Sequence, residues 1–423
     1  MAEAGAQTEQ LVKARQLFQE GKLEEAHDVL RAYMLSAPSD TDALDIFANV
    51  LVDAGREDAS EKISALSAAI KSTISSGALP FGDREIVRPL FEAAYVLVDL
   101  RQFELAVDWL NRCLVLAPDE PVVRYELAFA LMSLQRFQEA LPHFQKAAAD
   151  LDDFDTYLNL SVCHMLARDL ASSKTSLDKV AEYAKEDDEK KELAHRRTVF
   201  KRLEEMGNRT ALNNRDWLYT LYGSILLHPT SPDLKANTRE QIKTMASTLL
   251  ILRGVIEGLR MEFETIEFYN PLSKPLARMV AELMELPLDS YKGPQRPDRA
   301  LLVVAWAHDL IGPHRAFIDM SDRRTLFAYG MPSNEPLPIV PEIVGCLSTD
   351  QPLLWDEETR TTTVDEIVGK ILDKARHLET DTDILKETQN AVEYFHLKRQ
   401  FLMLGNFNGF PERPEYTAEV TGQ

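Results

Sequence analysis

The chain has 423 residues, of which 45% are apolar, so it is long enough for two or three domains with cores of their own. Its 47 basic residues against 68 acidic ones give a formal net charge of -21, which repels nucleic-acid backbones and anionic membrane surfaces. No apolar run approaches the roughly 18 residues of a membrane span, no secretory signal is visible, and the three separated cysteines form no disulfide framework or zinc motif. We therefore expect a cytoplasmic protein that binds neither nucleic acid nor membranes.

The first half of the chain repeats a pattern of small, apolar and turn residues every 34 residues. Within each copy the apolar residues have helical spacing, and short polar breaks, such as those at Gly21 and Gln135, divide the copy into two helices. The interval is clearest between two sets of four residues that lie 34 positions apart: Ala94, Leu97, Ala106 and Leu110, then Ala128, Leu131, Ala140 and Phe144. The pattern resembles the tetratricopeptide repeat (TPR) family, which implies an all-α solenoid of stacked helix pairs.

The resemblance covers residues 8–182 in about five copies. The second copy is degenerate, because Ser60 and Ser64 replace the expected Ala and Leu, and we expect an inserted loop at residues 72–83. The densely charged segment 183–207 predicts one or two helices that close the stack with a solvated outer face. These features predict a multidomain protein whose first part is a TPR-like solenoid.

The resemblance also implies that the first helix of each copy lines a concave groove. If the small residue of that helix is position 8, positions 5, 9 and 12 should face inward. In the first two copies these positions hold mixed residues: Leu11, Arg15 and Phe18, then Asp45, Asn49 and Val52. In the last three copies they are apolar or aromatic: Phe91, Tyr95 and Val98, then Tyr125, Phe129 and Met132, then Leu158, Val162 and Met165. We predict that seven of these contact a partner: Phe91, Tyr95, Tyr125, Phe129, Met132, Leu158 and Met165.

An exposed groove of this kind is normally covered. Three candidates could cover the groove: the amphipathic helix or extended peptide of another protein, the second half of this chain, or a second copy of it in a homo-oligomer. The family's carboxylate clamp for chaperone tails, with Lys at position 5 and Asn at position 9, is absent, since those positions hold residues such as Phe91 and Tyr95. Packing between repeats is the alternative interpretation of the same aromatic residues.

The repeat stops after residue 207, and strand-like segments appear among helices. In chain order we predict a β-prone aromatic segment at 215–228, a helix at 239–260, a strand at 263–269, a helix capped by Ser273, strands at 300–307 and 325–329, and helices at 364–377 and 383–404. Alternation of strands and helices favours an α/β domain over residues 208–405. Residues 406–423 have little periodicity and predict a loose tail.

The second half offers weak signals of chemistry. Ser273 and Lys274 stand between a predicted strand and the start of a helix, where backbone donors favour an anion. Together with the apolar strand that precedes His308 and Asp309, the order of elements resembles the phosphoribosyltransferase layout. That family carries two adjacent acids and a Thr-Thr-Gly turn there, whereas this chain has His308 in place of one acid and lacks the threonines, which counts against transferase activity.

Other candidate sites have ordinary structural explanations. A metal site built from His308, Asp309, His314 and Asp319 lacks any spacing that makes the four converge, so a histidine at a strand end and solvated aspartates account for them. Cys346 has no nucleophile motif around it and is expected to be a buried apolar side chain. Pro332 begins a proline-rich segment that we interpret as a connection. We therefore predict no catalytic residue, no metal and no cofactor.

The sequence as a whole predicts an adaptor that binds an apolar or amphipathic partner segment in the groove, with an acidic surround that selects basic or neutral ligands. One alternative is an enzyme or a nucleotide- or phosphosugar-binding protein whose α/β domain uses substrate recruited by the repeats. Another is a self-assembling scaffold whose groove is closed by its own chain.

Overall fold

The structure is a computed structural model that describes residues 2–207, 209, 211–230, 237–291, 299–310, 324–332, 337, 339–348, 353–356 and 362–403. His314, Asp319, half of the proline-rich segment and the predicted tail lie outside the described residues. The chain divides into two compact units, residues 1–196 and 197–423. In the described part, no helix is long and apolar enough to cross a membrane.

The first unit contains five antiparallel helix pairs. They are α1 and α2 (Ala2–Gln19, Leu23–Ser36), α3 and α4 (Thr41–Asp53, Glu57–Ser75), α5 and α6 (Val87–Asp99, Phe103–Leu116), α7 and α8 (Pro121–Ser133, Phe137–Leu151), and α9 and α10 (Phe154–Leu166, Leu170–Tyr183). Each pair packs on the next, and one continuous apolar core runs from α1 to α9. The helix content and pairing predicted from the 34-residue interval are present.

A left-handed residue stands in the turn inside each of the five pairs: Gly21, Gly55, Arg101, Gln135 and Arg168, with φ between 57° and 74°. In every case the next residue donates its backbone N–H five residues back, for example from Gln102 to the Leu97 carbonyl at 2.8 Å. This bond ends the first helix and reverses the chain within three residues. Because the turn tolerates Arg and Gln, the repeat continues where the glycine signal of the sequence is lost.

Small residues lie where the two helices of a pair cross, as the sequence predicts. Ala14, Ala26, Ala94 and Ala106 are fully buried there. In the last pair Ser173 of α10 replaces alanine and donates its hydroxyl to the Ser161 carbonyl of α9 at 3.0 Å. The fifth pair is therefore joined by a hydrogen bond between helices as well as by close packing.

One detail of the first unit differs from the prediction, and a second falls within it. The loop expected at residues 72–83 is shorter, because α4 continues to Ser75 with its serine and threonine hydroxyls bonded back to helix carbonyls, as for Ser75 to the Lys71 carbonyl at 2.7 Å. The charged segment that follows the pairs is one helix, α11 (Asp187–Glu205), in which the boundary between the two units falls. Its first turn is acidic, which favours helix initiation there.

Within the described residues, the second unit is built on one six-stranded, parallel sheet with the order β1-β6-β5-β4-β2-β3. The strands are β1 (Ile225–Leu226), β2 (Thr265–Phe268), β3 (Leu288–Ser290), β4 (Ala300–Trp306), β5 (Arg324–Met331) and β6 (Ile343–Leu347). The helices are α12 (Asn214–Tyr222), α13 (Thr238–Gly258), α14 (Lys274–Met284), α15 (Val364–Leu378) and α16 (Thr382–Leu397). The expected α/β organisation is present, with two strands, β3 and β6, that the sequence analysis missed.

The central strand β4 explains why this sheet is buried on both faces. All seven of its residues are buried, as its continuous apolar run predicts. Alternate residues belong to different cores, with Leu301 and Val303 in the core on the side of α13–α16, and Leu302 and Val304 in the core on the other side.

The segment predicted as β-prone, residues 215–228, is mostly helical. Helix α12 starts with a capping box, in which the Asn213 side chain and the N3 residue Asp216 accept each other's backbone N–H groups. It ends at Gly223, which is left-handed with φ 73°. These two end signals outweigh the strand preference of the aromatic residues, and only Ile225 and Leu226 join the sheet.

The end of α12 packs closely on buried Arg202. The Arg202 guanidinium donates to the Phe401 carbonyl at 2.8 Å, and a Cβ on Gly223 would lie 2.3 Å from Arg202 Nη2. The last predicted helix is also shorter than the expected 383–404, because it ends at Leu397 and a 3-10 turn, Arg399–Phe401, follows. That turn brings the Phe401 carbonyl to the guanidinium.

Candidate partner-binding face

The seven predicted groove residues differ widely in how much surface they offer. Met132, Leu158 and Met165 are buried inside the stack, with 7%, 8% and 2% of their surface exposed, so the prediction of an open apolar groove is wrong at these positions. Phe91, Tyr125 and Phe129 are half-buried. Tyr95 is exposed to 39% and is the one large side chain of the seven that solvent reaches freely.

Contacts to second helices of the pairs explain why Tyr125 and Phe129 are half-buried. The Phe129 ring packs edge-on against Phe103 of α6 at 6.4 Å between centroids, and Tyr125 packs edge-on against Phe144 of α8 at 5.8 Å. These two aromatic residues therefore contribute to the core of the stack, which was the alternative interpretation of the sequence. Both rings are therefore only partly available to a partner.

The accessible stripe of the first helices in the last three pairs is rotated from the predicted one. Positions 5 and 12 point toward the stack, whereas positions 2, 6, 9 and 13, which share one side of a helix at 3.6 residues per turn, contain the residues that face outward or border the surface. In these last three pairs the stripe carries Tyr95 and Asp99 on α5, Glu126 on α7 and Asp155 on α9. We call these four residues the acidic strip.

The members of the acidic strip influence one another electrostatically. The charges of Asp99 and Glu126 raise the pKa of Tyr95. Burial, and then the charge of Asp99, raises the pKa of Glu126 to about 7. Burial raises the pKa of Asp155 as well, with further contributions from Asp153 and Glu189. The strip is therefore a region of negative potential in which an added cation would be favourable.

Glu126 is the most confined member of the acidic strip. Only 9% of its surface is exposed, and its carboxylate has no hydrogen bond and no ion pair among the described residues, although the carboxylate oxygens reach solvent. Asp99 and Asp155 have no cationic partner within the same residues either. Neighbouring acids on the first two pairs do, since Asp45 contacts Lys71 Nζ at 2.6 Å and Asp42 contacts Arg15 at 4.0 Å.

Comparison of two equivalent interfaces shows why the Glu126 carboxylate lacks a donor. Between α7 and α9, the Asn159 amide donates to the Tyr125 hydroxyl at 2.7 Å, which joins position 6 of one first helix to position 5 of the preceding one. Between α5 and α7 the same two positions hold Glu126 and Phe91. Phenylalanine has no hydroxyl, so the polar group at position 6 receives no hydrogen bond from position 5.

Two depressions lie along the first unit. One, of about 290 Å³, is lined by first-helix residues of the first two pairs, among them Arg15, Phe18 and Asp45, so the predicted inward positions do border open space there. The other, of about 470 Å³, lies between the turn inside the second pair and the end of α5, with Lys62 and Asp99 on its lining. The Lys62 ammonium also lies 5.7 Å from the centre of the Tyr95 ring.

The three acids of the strip were not among the predicted partner-binding residues, because those were apolar or aromatic residues at positions 5, 9 and 12. One signal was available: Glu126 is the only acid within α7, a helix of 13 residues that is otherwise mostly apolar. A single carboxylate in such a helix either finds a partner or is costly to bury. Its lack of a partner depends on Phe91, which is 35 residues earlier in the sequence.

The predicted anion site in the second unit is occupied by internal hydrogen bonds. Ser273 is buried and does not cap α14 with its side chain, so the capping prediction is wrong. Its hydroxyl donates to Asn270 Oδ1 at 2.6 Å and accepts the Ala305 N–H at 3.0 Å, which ties the start of α14 to β4. Lys274 lies 5.6 Å from the centre of the Phe268 ring.

The remaining chemical candidates are also placed. His308 Nε2 is 3.7 Å from Asp309 Oδ1, and Asp309 Oδ2 is 3.4 Å from the Asn270 amide. Among the described residues no three His, Cys, Asp or Glu side chains are grouped to hold one metal ion. Cys346 is buried in β6, and burial raises the pKa of its thiol to about 12, so this thiol is not a nucleophile at neutral pH.

No protein-family model matches the chain, and no curated protein is similar to it in sequence. Among solved structures, the chain is similar to MamA from Desulfovibrio magneticus RS-1, at 17% identity and a TM-score of 0.26 over 42% of this chain and 93% of that one. It is also similar to YrrB, a TPR protein with an unusual peptide-binding site (21%, 0.26, 41% and 84%), and to PilF of Pseudomonas aeruginosa (17%, 0.27, 49% and 86%). At these TM-scores nothing is carried over from them, and the first unit is TPR-like on the strength of its own five helix pairs and their recurring turn.

Proposed function

We propose that the first unit binds a polypeptide segment of another protein along the first helices of its pairs, and that the chain acts as an interaction adaptor. The observation that carries the proposal is Tyr95, an exposed aromatic side chain whose ring centre lies 6.4 Å from that of Phe91 and whose pKa is raised by the charges of Asp99 and Glu126. Tyrosine supplies a large contact area with few rotatable bonds, which is why it is common among residues that dominate binding energy.

The partner segment does not need to be strongly apolar. Because Met132, Leu158 and Met165 are buried, the surface left for a partner includes the exposed Tyr95, the half-buried Tyr125 and Phe129, and the carboxylates of the acidic strip. Such a surface suits a mixed segment with one or two apolar anchors and polar or charged residues. This revises the sequence-based expectation of a wholly apolar groove.

Selection of random 12-residue peptides on the full-length chain tests the proposal. The best selected peptide is expected to bind Tyr95→Ala about 5- to 10-fold more weakly than the unchanged chain, which corresponds to about 1 kcal/mol for one aromatic contact. Val115→Ala is the matched control, since Val115 is an exposed apolar residue on a second helix, α6. Equal affinity for the two variants, or no selected peptide at all, would refute binding on this face.

The topology of the second unit favours a second candidate function, the binding of a small ligand by the α/β unit. Strands β3-β2-β4-β5-β6 follow the doubly wound order in which ligands bind at the carboxyl ends of the two strands where the winding changes direction. Here those strands are β2 and β4, followed by Asn270 and Asp309. A thermal shift with a phosphosugar or nucleotide that Asp309→Ala abolishes would support this function, and no shift with either class would refute it.

A further inference from the structure

We infer that the acidic strip receives a positively charged side chain, Lys or Arg, of the partner segment, with the Glu126 carboxylate as its main contact and the Tyr95 ring beside it. The inference rests on the proposed function and adds the chemistry of the partner. It depends on three observations that are independent of one another: a carboxylate left without a donor, an exposed aromatic ring next to it, and further uncompensated acids along the same stripe.

The Glu126 carboxylate lacks a donor from the described part of the protein. A carboxylate that is largely buried and has only solvent as a partner is poorly stabilised unless a cation or a donor reaches it. Among the described residues none does, although the equivalent polar group of the next interface, Asn159, has its partner in the Tyr125 hydroxyl. The interface of α5 and α7 is therefore incomplete in a way that a ligand group with N–H donors would complete.

The surroundings of Glu126 favour a cationic ligand group over a neutral one. Asp99 acts on Glu126 from the neighbouring helix, so a neutral donor would leave two like charges close together, whereas a cation would compensate both. Tyr95 adds a ring face, and guanidinium and ammonium groups bind favourably to such faces within about 6 Å of the centroid. Lys62 already makes this kind of contact with Tyr95, at 5.7 Å.

The spacing of the three acids does not suit a metal ion. The three acids are spread over three successive first helices, and the described residues include no group of three such side chains around a common point. A metal ion needs several ligands at one centre, whereas a basic segment lying across the helices can meet the acids one after another. The spacing therefore favours a polypeptide that carries basic residues.

The experiment uses the selection of random 12-residue peptides on the full-length chain described above. We expect Lys or Arg to be enriched in the selected peptides relative to the starting library. For the best peptide, we expect Glu126→Gln to weaken binding at least 10-fold in fluorescence anisotropy at fixed salt. Replacing the basic residue of the peptide by citrulline or acetyl-lysine should weaken binding equally, and combining both changes should add little.

Two further variants separate a specific contact from general attraction to an acidic protein. Glu104→Gln removes one exposed acid from the second helix α6 and should change affinity less than 2-fold. Phe91→Tyr keeps the net charge and restores the hydroxyl that position 5 has in Tyr125, so it should satisfy Glu126 internally and weaken the basic peptide several-fold. Circular dichroism spectra that match the unchanged chain show that each variant is folded.

The outcomes distinguish this inference from the proposed function. Selected peptides that depend on Tyr95 but are acidic or uncharged overturn the inference and leave the proposed function in place. Equal losses for Glu126→Gln and Glu104→Gln overturn it too, because they show only general charge attraction. If no peptide is selected, the proposed function fails, and the inference fails with it.

Discussion

The cost of burying Glu126 can be measured without any ligand. Burial and Asp99 raise the pKa of its carboxyl from 4.5 to about 7 in the folded chain. The folded state thus binds the proton more tightly than the unfolded state. The resulting stabilisation is fully present below about pH 4.5 and is lost as the pH rises through about 7. At about 1.4 kcal/mol per pKa unit, the loss between about pH 5 and pH 8.5 is about 2 to 3 kcal/mol.

Glu126→Gln removes this pH dependence, because glutamine does not titrate. The assay is hydrogen exchange of the α7 amides by mass spectrometry, with the variant and the unchanged chain compared at the same pH so that intrinsic exchange rates cancel. Relative to their ratio at about pH 5, the α7 amides of the variant should exchange on the order of 50-fold more slowly at about pH 8.5. The amides of α13, in the second unit, serve as the internal control and should not differ.

Two results would refute this reasoning. If the ratio of exchange rates in α7 is the same at both pH values, the carboxyl does not titrate near neutral pH and has a partner or water that stabilises its charge. If α7 of the variant exchanges faster at every pH, the carboxylate makes a stabilising contact in the folded chain. Either result would also remove the reason to expect a cationic ligand at this position.

Two further predictions concern the stability of the second unit. Gly223→Ala should lower its stability by about 2 kcal/mol or more, since alanine is strained at φ 73° and its Cβ would meet Arg202. The control Gly369→Ala, in open space within α15, should be neutral or slightly stabilising. Equal melting temperatures for the two variants would contradict this prediction. Glu267→Gln should lower the free energy of unfolding in urea by about 3 to 5 kcal/mol, because the side chains of Glu267 and Arg324 are fully buried and their charged atoms are 2.6 Å apart. A loss below about 1 kcal/mol would show that the pair is not buried in this way.

The repeat half of this fold follows from local sequence signals. Small residues such as Ala94 and Ala128 at a fixed interval predict both the pairing of helices and their crossing points, and the structure has them buried there. The turn at Gly21 follows from the glycine signal alone. These features are predictable because helix spacing and chain reversal depend on residues within one copy.

The second half was predictable in class but not in detail. The apolar run of β4 predicted a strand covered on both faces, which is correct. The aromatic segment after Asn213 was predicted wrongly, because its strand preference competes with a capping box and a terminal glycine, and only the folded chain shows which wins. The order of the strands in the sheet depends on contacts between segments far apart in sequence.

The sequence by itself determined that this chain has paired helices followed by an α/β unit, because both follow from the periodicity of apolar residues. Tertiary structure alone decided which stripe of the first helices is accessible, since neighbouring pairs cover positions 5 and 12 and leave Tyr95 exposed. It also decided that Glu126 lacks a donor. That property belongs to no single helix, because it arises where α7 meets Phe91 of α5 and not a tyrosine.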